Sequence, residues 1–260
     1  GKFSGFTSVL SGMGTALKAA AAATAAAVAG AATAIGALTT KAIEGYAAQE
    51  QLVGGVETLF KTSSDTVVGY ANDAYKTAGM SANEYMETVT SFSASLLASM
   101  NNDTAAAAEK ANVAITDMSD NANKMGTDIS LIQNAYNGFA KQNYTMLDNL
   151  KLGYGGTKEE MQRLLDDASK LSGIKYDISS YSDVVDAIHV VQTEMGITGT
   201  TAKEASTTIE GSVSSMSSAW DNWVAGMADS EANFSQLTSN LVDSIVTCLL
   251  YTSDAADDLI

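Results

Sequence analysis

The residues best placed to do chemistry are in LGYGGTKEEMQRLLDDASKLSG, residues 152–173, where three glycines lead through Thr157 and Lys158 into a charged segment. A glycine-rich turn that opens a helix with a lysine is the layout of a phosphate-gripping loop, in which backbone N–H groups cradle the phosphates and the lysine neutralises them. The spacing here is wrong for that chemistry. The phosphate loop needs glycine directly before the lysine and serine or threonine directly after it; this chain has Thr157 before Lys158 and Glu159 after it. Glu159 and Glu160 also place two carboxylates in the first helical turn, where an incoming phosphate would be repelled. No apolar strand precedes the glycines. The polar residues have structural uses instead: Thr157 and Glu160 form a capping-box pattern. Glu159–Arg163, Arg163–Asp167 and Asp166–Lys170 are spaced for pairing along one helix face. Gly173 is a helix stop.

The remaining chemical candidates are few. His189 is the single histidine and Cys248 the single cysteine, so neither a His/Cys metal set nor an intrachain disulfide can be assembled. No nucleophile setting accompanies His189. DNANKMGTD, residues 120–128, lacks the alternating oxygen ligands of a calcium loop. Carboxylates are numerous but fall at helix starts and on charged faces. The sequence therefore gives no catalytic, cofactor-binding or metal-ligating residue, and the expectation is a protein that is not an enzyme.

The elements that would position any site read as helices throughout. The chain has 260 residues and no proline, where average usage gives about a dozen. Proline breaks helix interiors, so its absence suits long uninterrupted helices. A net charge of −16 disfavours binding to the nucleic-acid backbone, and the sparse basic residues form no patch for sequence-specific recognition. Residues 1–46 are the exception to the acidity, with Lys2, Lys18 and Lys41 against Glu44. Within them, AAAAATAAAVAGAATAIGALTT (19–40) is uncharged and as a helix would span roughly 33 Å, enough for a bilayer core. Only Val28, Ile35 and Leu38 in it are large and apolar, whereas strong spans are built on Leu, Ile, Phe and Val. Length allows a membrane-active or membrane-anchored helix; composition favours a buried or self-associating one.

Further along, Ser81 and Glu84 form a capping box before an apolar series at Tyr85, Val89, Phe92, Leu96 and Met100. Asp103 caps a helix carrying Ala108, Ala111, Ile115 and Met118, and Gly126 and Gly138 separate short helices in an Asn-rich stretch. Residues 180–196 form a capped helix with Val184, Ile188, Val191 and Met195 inward. Thr201 and Glu204 cap a final region whose stripe runs Ala202, Ala205, Ile209, Val213, Met216, Trp220, Trp223 and Met227. After a polar lapse at Ser230–Glu231 the stripe resumes at Phe234, Leu237, Leu241 and Ile245, which suits a coiled coil or an extended helix pair. The serines of EGSVSSMSSAW allow close approach of neighbours. The fold expected is an all-α, proline-free multi-helix bundle. It divides into an Ala-rich apolar helix (1–46), a multi-helix region (47–200) and a long amphipathic, partly coiled-coil-like helical region (201–247). The tail CLLYTSDAADDLI (248–260) breaks the pattern, and its first ten residues match one reading frame of a sequencing-library adaptor. It is read as a non-native translation.

Three long stretches carry a resemblance: EQLVGGVETLFKTSSDTVVGYANDAYKTAGMSANEYMETVTSFSASLL (50–97), ITDMSDNANKMGTDISLIQNAYNGFAKQNYTMLDNLKLGYGGTKEEMQRLL (115–165) and MGITGTTAKEASTTIEGSVSSMSSAW (195–220). They resemble the tape measure proteins of tailed phages and prophages in Gram-positive bacteria, over roughly residues 45–247. The resemblance implies a structural minor tail protein, a fragment of a longer chain, that sets tail length inside the tube and assists DNA ejection. It implies tail-tube subunits, tail assembly chaperones and tail-tip or baseplate proteins as partners, together with self-association and contact with the host membrane. The expected location is the tail-tube lumen of the virion, after synthesis in the bacterial cytoplasm. The family offers no catalytic residue set for this region.

Overall fold

The computed structural model describes residues 25–258, all of whose regular elements are helical. In chain order they are α1 (Ala25–Phe60), a 3-10 turn (Lys61–Ser63), α2 (Ser64–Thr77), α3 (Ala82–Ser99), α4 (Thr104–Met125) and α5 (Ile129–Phe139). A second 3-10 turn (Leu147–Leu150) leads to α6 (Lys158–Ser172), α7 (Tyr181–Glu194), α8 (Thr200–Glu204), α9 (Ile209–Gly226) and α10 (Phe234–Asp258). The all-α multi-helix fold expected of the proline-free sequence is the one found among the described residues.

Most helix starts follow the local chemistry. Ser81 caps α3 with a full capping box, its N–H donating to Glu84 Oε2 at 2.8 Å while its hydroxyl accepts from the Glu84 N–H. The Asp103 carboxylate accepts from Ala105 and Ala106 N–H, each at 3.1 Å, and starts α4. Ser180 caps α7 and Thr208 caps α9. Gly126 and Gly173 stop α4 and α6 in left-handed conformation, at φ +61° and +74°.

A single apolar core joins α1 to α7. The series read from the sequence supplies it: Tyr85, Val89, Phe92 and Leu96 from α3, Ala108, Ala111, Ile115 and Met118 from α4, and Val184, Ile188 and Val191 from α7 are all buried. Phe60 seals the end of α1, and α5 adds Ile132, Tyr136 and Phe139.

Several expectations are corrected. Gly138 marks the end of α5 from within, as the helix's penultimate residue, and a Cβ there would stand 2.9 Å from the Asn143 carbonyl oxygen. Met195, placed inward by periodicity, is about half exposed, because it falls at a helix end beyond the reach of the packed neighbours; Leu171, near the end of α6, is exposed in the same way. Along α9, Val213 and Trp220 are exposed, while Ser212, Ser215, Ser218 and Ala219 are buried. The face that packs is the serine face. Small side chains let α9 lie close against α1 and the end of α2: a Cβ on Gly45 would meet Ala225 Cβ at 3.2 Å, and the Ser218 hydroxyl donates to the Gly79 carbonyl at 3.0 Å. Asn222 Oδ1 accepts from the Ala82 N–H, and Asn83 Nδ2 donates to the Gly45 carbonyl, tying α9 and α1 to the start of α3.

The long C-terminal stripe does not form one continuous helix. It breaks at the polar lapse around Ser230, and α10 folds back on α9. Gly226 abuts Leu237, Trp223 donates to Thr238, and Ala219 packs with Leu241, a progression that makes the pair antiparallel. No helix among the described residues is long and apolar enough to cross a membrane; residues 19–24 of the uncharged segment lie outside the described residues.

Candidate functional site

The glycine turn before α6 is built to hold itself. Gly155 N–H donates to Glu160 Oε2 at 3.0 Å, so a carboxylate of the protein takes the amide that a phosphate would need. The Thr157 hydroxyl accepts from Glu160 N–H, but the Glu160 side chain reaches Gly155 and not the Thr157 amide, so only half of the expected capping box forms. Arg163 donates to the Gly153 carbonyl at 2.8 Å and to Glu160, and its guanidinium lies 4.4 Å from the Tyr154 ring centroid. Both the Arg163–Glu160 and Lys170–Asp167 pairs step by three residues, replacing the four-residue pairings read from the sequence. Asp166 accepts from Gln162. Gly156 has no room for a side chain, since a Cβ would fall 2.2 Å from the Thr145 carbonyl oxygen.

His189 has a partner that periodicity did not reveal. Its Nδ1 lies 2.9 Å from both carboxylate oxygens of Asp117, across the α4–α7 interface. The Asp117 side chain is 1 % exposed and the imidazole 37 %. Its hydrogen bond to Asp117 raises the His189 pKa above the ordinary histidine value. Burial pushes the Asp117 carboxyl upward, more than the imidazole draws it down. One helical turn earlier on α7, Asp186 pairs with Lys110 of α4, so two ionic contacts stitch the same interface. A buried aspartate that orients a half-exposed imidazole is the supporting half of an acid–base apparatus. A nucleophile is the other half, and no hydroxyl or thiol among the described residues is bonded to the outer nitrogen of this ring.

Three residues further along α4 sits Asp120, fully buried. Its carboxylate accepts from Gly199 N–H at 2.6 Å and Thr201 N–H at 2.8 Å. This long-range carboxylate caps α8, the role assigned from sequence to Thr201 and Glu204; Thr201 lies inside the helix and Gly199 precedes it. Next to it, Asn121 is also fully buried and donates to the Leu150 carbonyl. The signal for this polar cluster was present: Asp117, Asp120 and Asn121 follow Ala114 at helical spacing on a packed helix. A charged residue at such a position is normally read as solvated.

A cleft of about 1040 Å³ is bounded by α3, α4, α5, α8 and α9. Its wall carries four glutamates and no lysine or arginine. Among the described residues no group of three or more His, Cys, Asp or Glu side chains is gathered to hold a metal ion. Compared with known proteins, the chain matches no family model, no curated protein and no solved structure.

Proposed function

We propose that this chain is a segment of a phage tail tape measure protein, a structural assembly protein that performs no chemistry. The observation that carries this reading is the resemblance of residues 50–97, 115–165 and 195–220 to that family. It covers long stretches of mixed composition. The helical, proline-free chain supports it on physical grounds, because an α-helix turns residue number into length at about 1.5 Å per residue. In this reading the packed bundle is the form held before assembly. Tail-tube subunits, assembly chaperones and tip or baseplate proteins receive its helices as the tube polymerises around them in the virion.

The test is genetic. In-frame removal of about 100 residues from the complete gene shortens the tail by roughly 150 Å if the whole segment lies extended as helix, read by electron microscopy of purified particles. Tails of unchanged length, or a gene with no tail-tube gene beside it, overturn the reading. The membrane-active alternative rests on residues 19–40 alone. Flotation of the full chain with liposomes, abolished when those residues are removed, would favour it.

A further inference from the structure

We infer that the corner between α8 and α9 is a conformational switch. Bent, it lays the α9–α10 hairpin on the core; straight, it makes α8 and α9 one helix from Thr200 to Gly226 and carries the hairpin off. This device goes beyond the tape measure reading and does not rest on it.

The sequence describes the straight form. Ala202, Ala205, Ile209, Val213, Met216, Trp220, Trp223 and Met227 step by three and four across the corner without a lapse, the pattern of one unbroken helix face. No glycine or proline stands at residues 205–208 to demand a turn. In the bent form this stripe does not serve as the packed face: Val213 and Trp220 are exposed, and Ser212, Ser215 and Ser218 are buried instead.

The backbone lies close to the straight path. Ala205 is still helical, at φ −54° and ψ −25°, and the amides of residues 205–208 each donate to a carbonyl three or four residues back. The chain turns at Thr208, with φ −132° and ψ 156°. Ser212 N–H already donates to the Thr208 carbonyl. Returning Thr208 to helical angles therefore completes the ladder, adding the amide-to-carbonyl pairs 209 to 205, 210 to 206 and 211 to 207. Side chains hold the bend. The Thr208 hydroxyl donates to the Glu204 carbonyl at 3.2 Å and accepts from Gly211 N–H at 3.1 Å. The Ser206 and Thr207 hydroxyls both donate to the Lys203 carbonyl. Hydroxyl bonds of this kind compete with a main-chain ladder.

Gly211 is required by the bent form alone. A Cβ there would overlap the Glu204 carbonyl, because the first turn of α9 is pressed against the end of α8. In one straight helix residues 204 and 211 are two turns apart, about 10 Å along the axis, and the same Cβ is harmless. A side chain at 211 thus acts oppositely on the two forms. The switch has a fixed side, since Asp120 of α4 holds α8 through the Gly199 and Thr201 amides. Its moving side meets the core through the serine seam, Asn222 and two small apolar patches.

The test places Gly45→Cys and Ala225→Cys in the full chain together with Cys248→Ser. The docked hairpin sets these two Cβ positions 3.2 Å apart, within a few tenths of an ångström of disulfide spacing, so the rate of disulfide formation reads docking. Adding Gly211→Ala is expected to slow that rate at least about tenfold. Hydrogen exchange should show protection gained at residues 209–211 and kept in α3, α4 and α7. Ile209→Pro suits an extended Thr208 and a first helical position but cannot join a continuous helix, and should leave the rate within about twofold of the parent. Thr208→Ala deletes the bridging hydroxyl without adding bulk and should slow the rate about two- to fivefold. An unchanged rate in Gly211→Ala overturns the switch, because the corner then yields without opening. Loss of protection at 209–211 overturns it as a corner that melts, and equal slowing by Ile209→Pro as unspecific damage. If Gly211→Ala also strips protection from α3, α4 and α7, Thr208→Ala decides alone, and an unslowed rate there is the overturning result.

Discussion

At the scale of single residues, His189 gives the clearest pH dependence. It is the only histidine, and its pKa is raised by Asp117. The Asp117 pKa is raised by burial, so the folded state holds protons on this pair more tightly than the unfolded chain does. The histidine contribution is therefore fully present below the unfolded value of about 6.5 and is lost as pH rises through the raised folded value. Asp117 works in the same sense, since ionising it in a buried site is unfavourable. The groups facing the pair are Asp120 and Lys110 on α4 and Asp186 on α7. The melting temperature should fall as pH rises above about 6.5, followed by circular dichroism, and in His189→Gln that slope should flatten. An unchanged slope in the variant would locate the titration elsewhere. Gly156 offers a second residue-scale prediction. Gly156→Ala must displace the Thr145 carbonyl, found 2.2 Å from the new Cβ, and should cost about 1–3 kcal/mol in urea denaturation. Gly54→Ala, inside α1 with open space around it, should instead gain roughly 0.5–1 kcal/mol.

Elements divide into those the sequence declares and those it hides. The starts of α3 and α4 were legible because Ser81 with Glu84, and Asp103, satisfy amides within three residues of themselves. The start of α8 was not, because its cap is Asp120, about 80 residues away. Local spacing carries no trace of that contact. The packed face of α9 was misjudged for a different reason. Periodicity ranks faces by hydrophobicity, whereas α9 packs through small serines whose value is close approach, leaving Val213 and Trp220 outside. Two predictions belong here. Asp120→Ala removes the acceptor of the Gly199 and buried Thr201 amides and should cost roughly 1–3 kcal/mol, with faster hydrogen exchange at residues 199–204 as its specific mark. Ser215→Leu places bulk in a seam made for small groups and should destabilise by about 1–3 kcal/mol; a stabilised variant would show that the seam has room to spare. The acidic cleft was not legible either. Its glutamates come from α3, α8 and the start of α9, and only the tertiary fold sets them around one space.

For the whole molecule, the distribution of buried apolar residues matters more than their number. One cluster runs continuously from α1 to α7, with Ile197 following it. The α9–α10 hairpin joins the rest through two small patches, Ala42 with Val224, Met227 and Ala228, and Tyr75 with Ala219 and Leu241. Stability follows contact density and need not be uniform across a fold. Native-state hydrogen exchange should therefore show the amides of α9 and α10 opening at lower denaturant than those of α3, α4 and α7. A single opening event for all of them would mean that the hairpin is part of the core's cooperative unit.

The serine-faced seam also bears on reversibility. Along the serine strip the parting surfaces expose little grease, because a hydroxyl such as that of Ser218 can trade the Gly79 carbonyl for water. What detachment of the hairpin would leave sticky is confined to the two small apolar patches around Ala42 and Tyr75, and the serine strip adds no adhesive surface of its own.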